Sequence, residues 1–204
     1  MTNGQSIDDL YRFGLKLFLE PGVSLRDADC IPIFHGWIRA AALDRLLIDV
    51  ADYTHLRGGP SVLLVGHEGN LWVDRADGRP GIVCTSKQPT PGALTERVVA
   101  TARTLIVAAR LLESDHALTG QLRFVSNELE FQANDRMLAP PSDESVAALT
   151  PVLKATMESL YPGEAHQIAR QPISTDRLKI NLTAPQPSSL DSLLERITQT
   201  AQNA

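Results

Sequence analysis

Asp49, Asp52, His55, His67 and Glu68 supply carboxylate and imidazole groups from one short stretch, Leu46–Val73, in the sequence LLIDVADYTHLRGGPSVLLVGHEGNLWV. Such a mixed nitrogen and oxygen set suits zinc, iron or manganese. The spacing does not enforce a site, however. There is no H-E-x-x-H or H-x-H, and Asp49 and Asp52, three apart, fall on opposite faces of a strand. The favoured expectation is therefore no metal, with Asp52 and His55 bonded to loop backbone and Glu68 in a solvated turn.

His35, beside Trp37, is the sixth candidate. In an apolar pocket its imidazole would be kept neutral by burial, although a core histidine with one hydrogen-bond partner is the commoner arrangement. Cys84 could act as a nucleophile with His67, but its flanks, Val83 and Thr85, suggest an inert buried thiol. No G-x-S-x-G occurs. Gly58-Gly59-Pro60-Ser61 precedes a strand and lacks the Lys-Ser/Thr ending of a phosphate loop. Arg97, Arg103 and Arg110 lie off the apolar stripe of a long helix, where a solvated face is the default and anion binding the minor alternative.

These residues must be positioned by a meander. LLIDVA and SVLLVG are short, β-branched runs bounded by turn residues, which predicts strands buried in a sheet. Arg57–Pro60 forms the loop between them. Val62–His67 and Asn70–Asp74 are expected to form a hairpin whose tip, Glu68-Gly69, places Gly69 at positive φ. Ile82–Thr85 adds a third antiparallel strand after the turn at Asp77–Gly81.

Upstream, Ser6 caps an acidic first turn, and Ile7, Leu10, Tyr11, Leu17 and Phe18 predict a helix over Ile7–Glu20. Asp29–Leu43 is ambiguous between helix and strand. A helix capped by Asp29 is the preferred reading, with Trp37 buried. Downstream, Leu94, Val98, Ala102, Leu105, Ala109 and Leu112 stripe a central helix over Ala93–Glu113. Gln121–Phe124 and Leu129–Ala133 read as a hairpin around Ser126-Asn127-Glu128. A helix capped at Ser142 runs to Tyr161-Pro162-Gly163, and a third hairpin pairs His166–Arg170 with Leu178–Leu182 around Pro172–Asp176. The final helix begins at Ser188 or Ser189. A weak repeat relates SVLLVGHEGNLWVD to GQLRFVSNELEFQAND. The expected fold is a single α+β domain over residues 1–204, with possible sub-units 1–115 and 116–204. It is an antiparallel sheet of successive hairpins, each followed by a helix packed on one face.

The chain has 204 residues, is 43% hydrophobic and carries a net charge of −5, enough for a substantial core and without the basic field that nucleic acid requires. Two cysteines without C-x-x-C spacing and no leader-like N-terminus point to the cytoplasm. Val98–Leu112 is broken by Thr and Arg residues and cannot span a bilayer, so a soluble protein without membrane contact is expected.

The runs IPIFHGWI, LLIDVADYTH and GHEGN, with LRF, NDRMLAP and the helix before Leu160-Tyr161, resemble a conserved, functionally uncharacterised family of bacterial proteins. That resemblance implies no activity, cofactor or site residue. Two functions remain in play. One is a non-catalytic cytoplasmic protein that associates with itself or a protein partner. The other is a metal- or small-molecule-binding enzyme with a polar pocket around His35, Asp49, Asp52, His55 and His67. Motif absence favours the first, and no cofactor is expected.

Overall fold

A computed structural model describes residues 6–55, 61–118, 120–171 and 177–202. Its strands are β1 (Phe13–Leu19), β2 (Leu47–Asp52), β3 (Val62–Gly66), β4 (Asn70–Asp74), β5 (Gly81–Ser86), β6 (Phe124–Ala133), β7 (Gln167–Arg170) and β8 (Lys179–Thr183). The helices are α1 (Asp27–Ala40), α2 (Leu94–Ser114), α3 (Asp143–Leu160) and α4 (Leu190–Gln202). All eight strands join one antiparallel sheet in the order β2-β3-β4-β5-β1-β6-β8-β7. The class is α+β, and the helices share a single hydrophobic cluster with one sheet face.

β1 is the main departure from the sequence expectation. Ser6 does cap a turn, its Oγ accepting the Asp8 N–H while the Asp9 carboxylate accepts the Ser6 N–H, but that turn is a 3-10 helix of only Ile7–Asp9. The predicted helix Ile7–Glu20 gives way to a strand between β5 and β6. Its residues are all buried yet alternate, Phe13, Leu15, Leu17 and Leu19 facing the core cluster and Gly14, Lys16 and Phe18 the other side; adjoining Leu17 and Phe18 also fit the helical spacing begun at Ile7, Leu10 and Tyr11, and that hid the strand pattern.

The second predicted hairpin is likewise one continuous strand, β6. Ser126-Asn127-Glu128 looks like a turn in sequence, yet its polar groups find partners across the sheet. Asn127 donates Nδ2–H to the Ala184 carbonyl and accepts the Ala184 N–H, and Glu128 pairs with Thr183. The Tyr161 hydroxyl donates to the Ser126 carbonyl. The proposed internal repeat therefore matches a hairpin, β3–β4, to a single strand, and does not extend to structure.

Elsewhere the expected elements stand, with small shifts. Helix is the outcome over the ambiguous segment, but α1 begins at Asp27 with Arg26 at the cap, and Asp29 instead holds the Arg26 guanidinium at 2.7 and 2.8 Å. Phe34 and Trp37 pack together in the core, ring centroids 5.2 Å apart. Arg75 ties α1 to the sheet, donating to Asp27, Ser61 and the Leu25 carbonyl. The loop Arg57–Pro60 and the turn Pro172–Asp176 lie outside the described residues. No helix among the described residues is long and apolar enough to cross a membrane.

α2 lays its whole predicted stripe on the core, and Leu105 is fully buried. Leu105→Ala should lower unfolding free energy by about 2–5 kcal/mol, measured by urea titration at constant slope, because it opens a cavity at a site enclosed on every side.

The reverse sheet face carries no helix and is closed by polar side chains. Lys16, 1% exposed, pairs with Asp74 at 2.5 Å. Arg79, from the β4–β5 connection, forks onto Glu128 at 2.6 and 2.8 Å with its guanidinium 3.8 Å over the Phe18 ring. From the same connection Asp77 accepts from Lys179, whose ammonium holds the Asp77 carboxyl below the usual carboxylate range. Glu130, buried at the centre, accepts from Gln132 and Gln171 at 2.6 and 2.5 Å. Such a network stays ordered only because nearly every member is partnered.

Candidate functional site: the β2 edge and an adjoining polar cavity

The fold does not gather the six sequence candidates into one site. Among the described residues, no group of three or more His, Cys, Asp or Glu side chains could hold a metal ion. His35 stands on the exposed side of α1, opposite Phe34 and Trp37, rather than in an apolar pocket. His55 is exposed beyond the end of β2, its ring 6.5 Å from that of Tyr53. His67 is exposed at the β3–β4 tip, where its N–H donates to the Leu46 carbonyl at 2.8 Å.

Asp49 and Asp52 have local backbone roles. β2 is not buried within the sheet as its composition suggests; it is the sheet's edge, and a bulge interrupts its pairing with β3 between Leu47 and Asp49. Asp49 Oδ1 accepts the Val50 N–H at 2.8 Å. Asp52 Oδ1 accepts the Thr54 N–H at 2.9 Å and the Thr54 hydroxyl at 2.7 Å, and these bonds lower its pKa. Bulges and acidic side chains are common ways of blunting an edge against indiscriminate strand pairing.

The same edge is nevertheless apolar. Among the described residues the exposed large hydrophobics are Leu46 (63%), Ile48 (55%), Tyr53 (38%) and Met137, so three of the four lie along or beside β2. Asp44, Asp49 and Asp52 are exposed on the same border.

Glu68 lines a cavity. The tip that carries it is pressed onto β5: a Cβ on Gly69 would lie 1.7 Å from the Thr85 carbonyl oxygen. Gly69 is not among the glycines at positive φ, so close backbone approach, not turn geometry, is what requires glycine here. The Glu68 carbonyl accepts the Lys87 N–H at 2.9 Å, and the Asn70 N–H donates to Thr85 Oγ1 at 3.1 Å, fixing the tip. Glu68 is thus not in a solvated turn. Its Oε2 is enclosed and has no hydrogen-bond partner.

The cavity, about 350 Å³, is walled by the segment before β2, the β3–β4 tip, the end of β5 and the first turns of α2. Arg45 and Arg97 line it with Glu68 and Thr101. Arg45 donates to the Thr85 carbonyl at 3.1 Å, Cys84 Sγ at 3.5 Å and Thr101 Oγ1 at 3.3 Å. Arg97 reaches back to the N-terminal turn, donating to the carbonyls of Leu10, at 3.0 Å, and Asp8. Its Nε is enclosed without an acceptor. Cys84, below Arg45, is a buried thiol whose pKa burial raises, and Cys30 is pushed up to about 12 by burial; neither is an activated nucleophile.

Sequence reasoning missed Arg45 and assigned Arg97 to a solvated face. Arg45 sits in a run, Leu43–Leu47, with no motif to mark it, and Arg97 borders the apolar stripe beside Val98. Only the position of the N-terminal turn shows where its guanidinium ends. No family model, curated protein or solved structure matches the chain, so the reading of both features rests on their own geometry.

Proposed function

We propose that this is a non-catalytic cytoplasmic accessory protein that docks an extended, basic and apolar segment of a protein partner along β2. The observation that supports this reading is the clustering of Leu46, Ile48 and Tyr53 on a sheet edge. Exposed apolar side chains at an unpaired edge favour recognition of an extended chain, with side-chain contacts adding specificity to backbone pairing. Asp49 and Asp52 set the charge of the occupant: a second copy would bring the same carboxylates to the contact, whereas lysine or arginine would neutralise them. Two free, buried thiols, Cys30 and Cys84, fit a reducing compartment.

The test is an array of immobilised nonapeptides of varied sequence, read together with hydrogen exchange of residues 46–53. Bound peptides should be enriched in Lys or Arg alternating with aliphatic residues and should protect the β2 amides. Ile48→Lys should abolish capture while leaving stability within about 0.5 kcal/mol, since the side chain is exposed. Capture of acidic peptides equally well, no protection of β2, or a dimer in sedimentation that Ile48→Lys dissolves would overturn the proposal.

A further inference from the structure

The cavity beside the β2 edge has a chemistry of its own. Its two guanidiniums are oriented almost entirely by neutral acceptors: backbone carbonyls for Arg97, and a carbonyl, a hydroxyl and a thiol for Arg45. Neither is ion-paired with a carboxylate of the described residues. Neutral dipoles hold a guanidinium in place without cancelling its charge, so Arg45 and Arg97 each bring a fixed positive charge to the cavity. Two further acids, Asp44 and Glu96, also line the cavity, and both are exposed. Glu96 accepts the Ala93 N–H at 3.0 Å, and Asp44 leans outward to Arg103 at 3.5 Å.

Glu68 presents the opposite lack. Its carboxylate lines the same cavity, one oxygen enclosed with no donor, and no cation of the described residues forms an ion pair with it. The protein thus keeps, around one space, an enclosed Glu68 oxygen without a donor and two guanidiniums without an ion-pair partner, with Thr101, Thr90 and Ser86 adding hydroxyls. A simple anion would satisfy the arginines and be repelled by Glu68. A simple cation would meet the reverse. A ligand carrying both charges satisfies both kinds of group together, and a cavity of about 350 Å³ is within the range of small-molecule sites.

We propose that this cavity binds a small zwitterion of the α-amino-acid class, its carboxylate toward Arg45 and Arg97 and its ammonium toward Glu68. The site is separate from the β2 edge and would stand if no partner docked there. Binding adds to the folded state alone and so raises thermal stability by mass action.

The experiment is calorimetric titration and thermal melting of the full chain with a panel of common free α-amino acids. Each binder is then compared with its decarboxylated amine and its deaminated carboxylic acid. At least one amino acid should bind and raise the melting temperature, with both single-charge analogues weakened at least tenfold. Glu68→Gln preserves shape and removes the uncompensated charge, so it should fold at least as stably as the parent while losing at least tenfold in affinity. Arg97→Lys keeps the positive charge but removes the Nε–H and the fork, and should weaken the amino acid and the carboxylic acid alike. Amide shifts on binding should centre on residues 45, 68, 97 and 101. No binding by any amino acid at 10 mM would overturn the proposal; so would a carboxylic acid that binds as tightly as its amino acid, or a Glu68→Gln variant with unchanged affinity.

Discussion

Asp74→Ala should destabilise the protein by about 3–5 kcal/mol, because it leaves the Lys16 ammonium buried in the middle of the sheet without its carboxylate. Lys16 is 1% exposed and its Nζ is 2.5 Å from Asp74 Oδ2. Its strand neighbour across β1–β6 is Glu130, but that carboxylate is already engaged by Gln132 and Gln171. The two ends of the pair are not equivalent. Asp74 retains some access to solvent, so Lys16→Met should cost less than Asp74→Ala. The double variant Lys16→Met, Asp74→Leu should recover most of the loss, since removing both charges removes the desolvation problem along with the attraction. Urea unfolding of these variants together with the single variant Asp74→Leu closes the cycle and gives the coupling. If Asp74→Ala lost less than about 1 kcal/mol, the pair would be behaving like an ordinary surface salt bridge.

Gly69→Val should be comparably severe, at or above the ~1–3 kcal/mol that overpacking usually costs. The obstruction is the Thr85 carbonyl, 1.7 Å from where a Cβ would sit, so no side-chain rotation relieves it and the β3–β4 tip must lift from β5. Lifting it strains the Lys87–Glu68 and Asn70–Thr85 bonds and opens the cavity wall. Gly69→Ala should be nearly as damaging, because the clash begins at Cβ. Gly22→Ala is the contrasting case. That glycine has φ +82° with nothing within 4 Å, so only backbone strain opposes the change and the cost should be about 1 kcal/mol. Thermal melting of the three variants would separate the two causes, and equal losses at positions 22 and 69 would argue against the close approach.

What the sequence by itself determined was whatever depends on neighbours a few residues away or on burial of one side only. The α2 stripe is legible because Leu94, Val98, Ala102, Leu105, Ala109 and Leu112 recur at helical spacing with one face to the core. The α3 start is legible because Ser142 Oγ accepts the Ser145 N–H within a single turn. The meander and the α+β class follow from short β-branched runs broken by turn residues. Asp52's bond to Thr54 is equally local. β1 and β6 were not legible. The first alternates only until Phe18 breaks the pattern, and its Leu17 and Phe18 also continue the helical spacing of Ile7 and Leu10, while the second crosses turn-forming residues whose partners lie on β8. The edge position of β2 was hidden too, because an apolar run has the same composition at a sheet's border as at its centre. The cavity lay furthest from view. Arg45, Glu68 and Arg97 belong to a loop, a hairpin tip and a helix, and none carries a motif. Only the folding of the tip onto β5, and of the N-terminal turn against α2, brings their unmatched charges around one space.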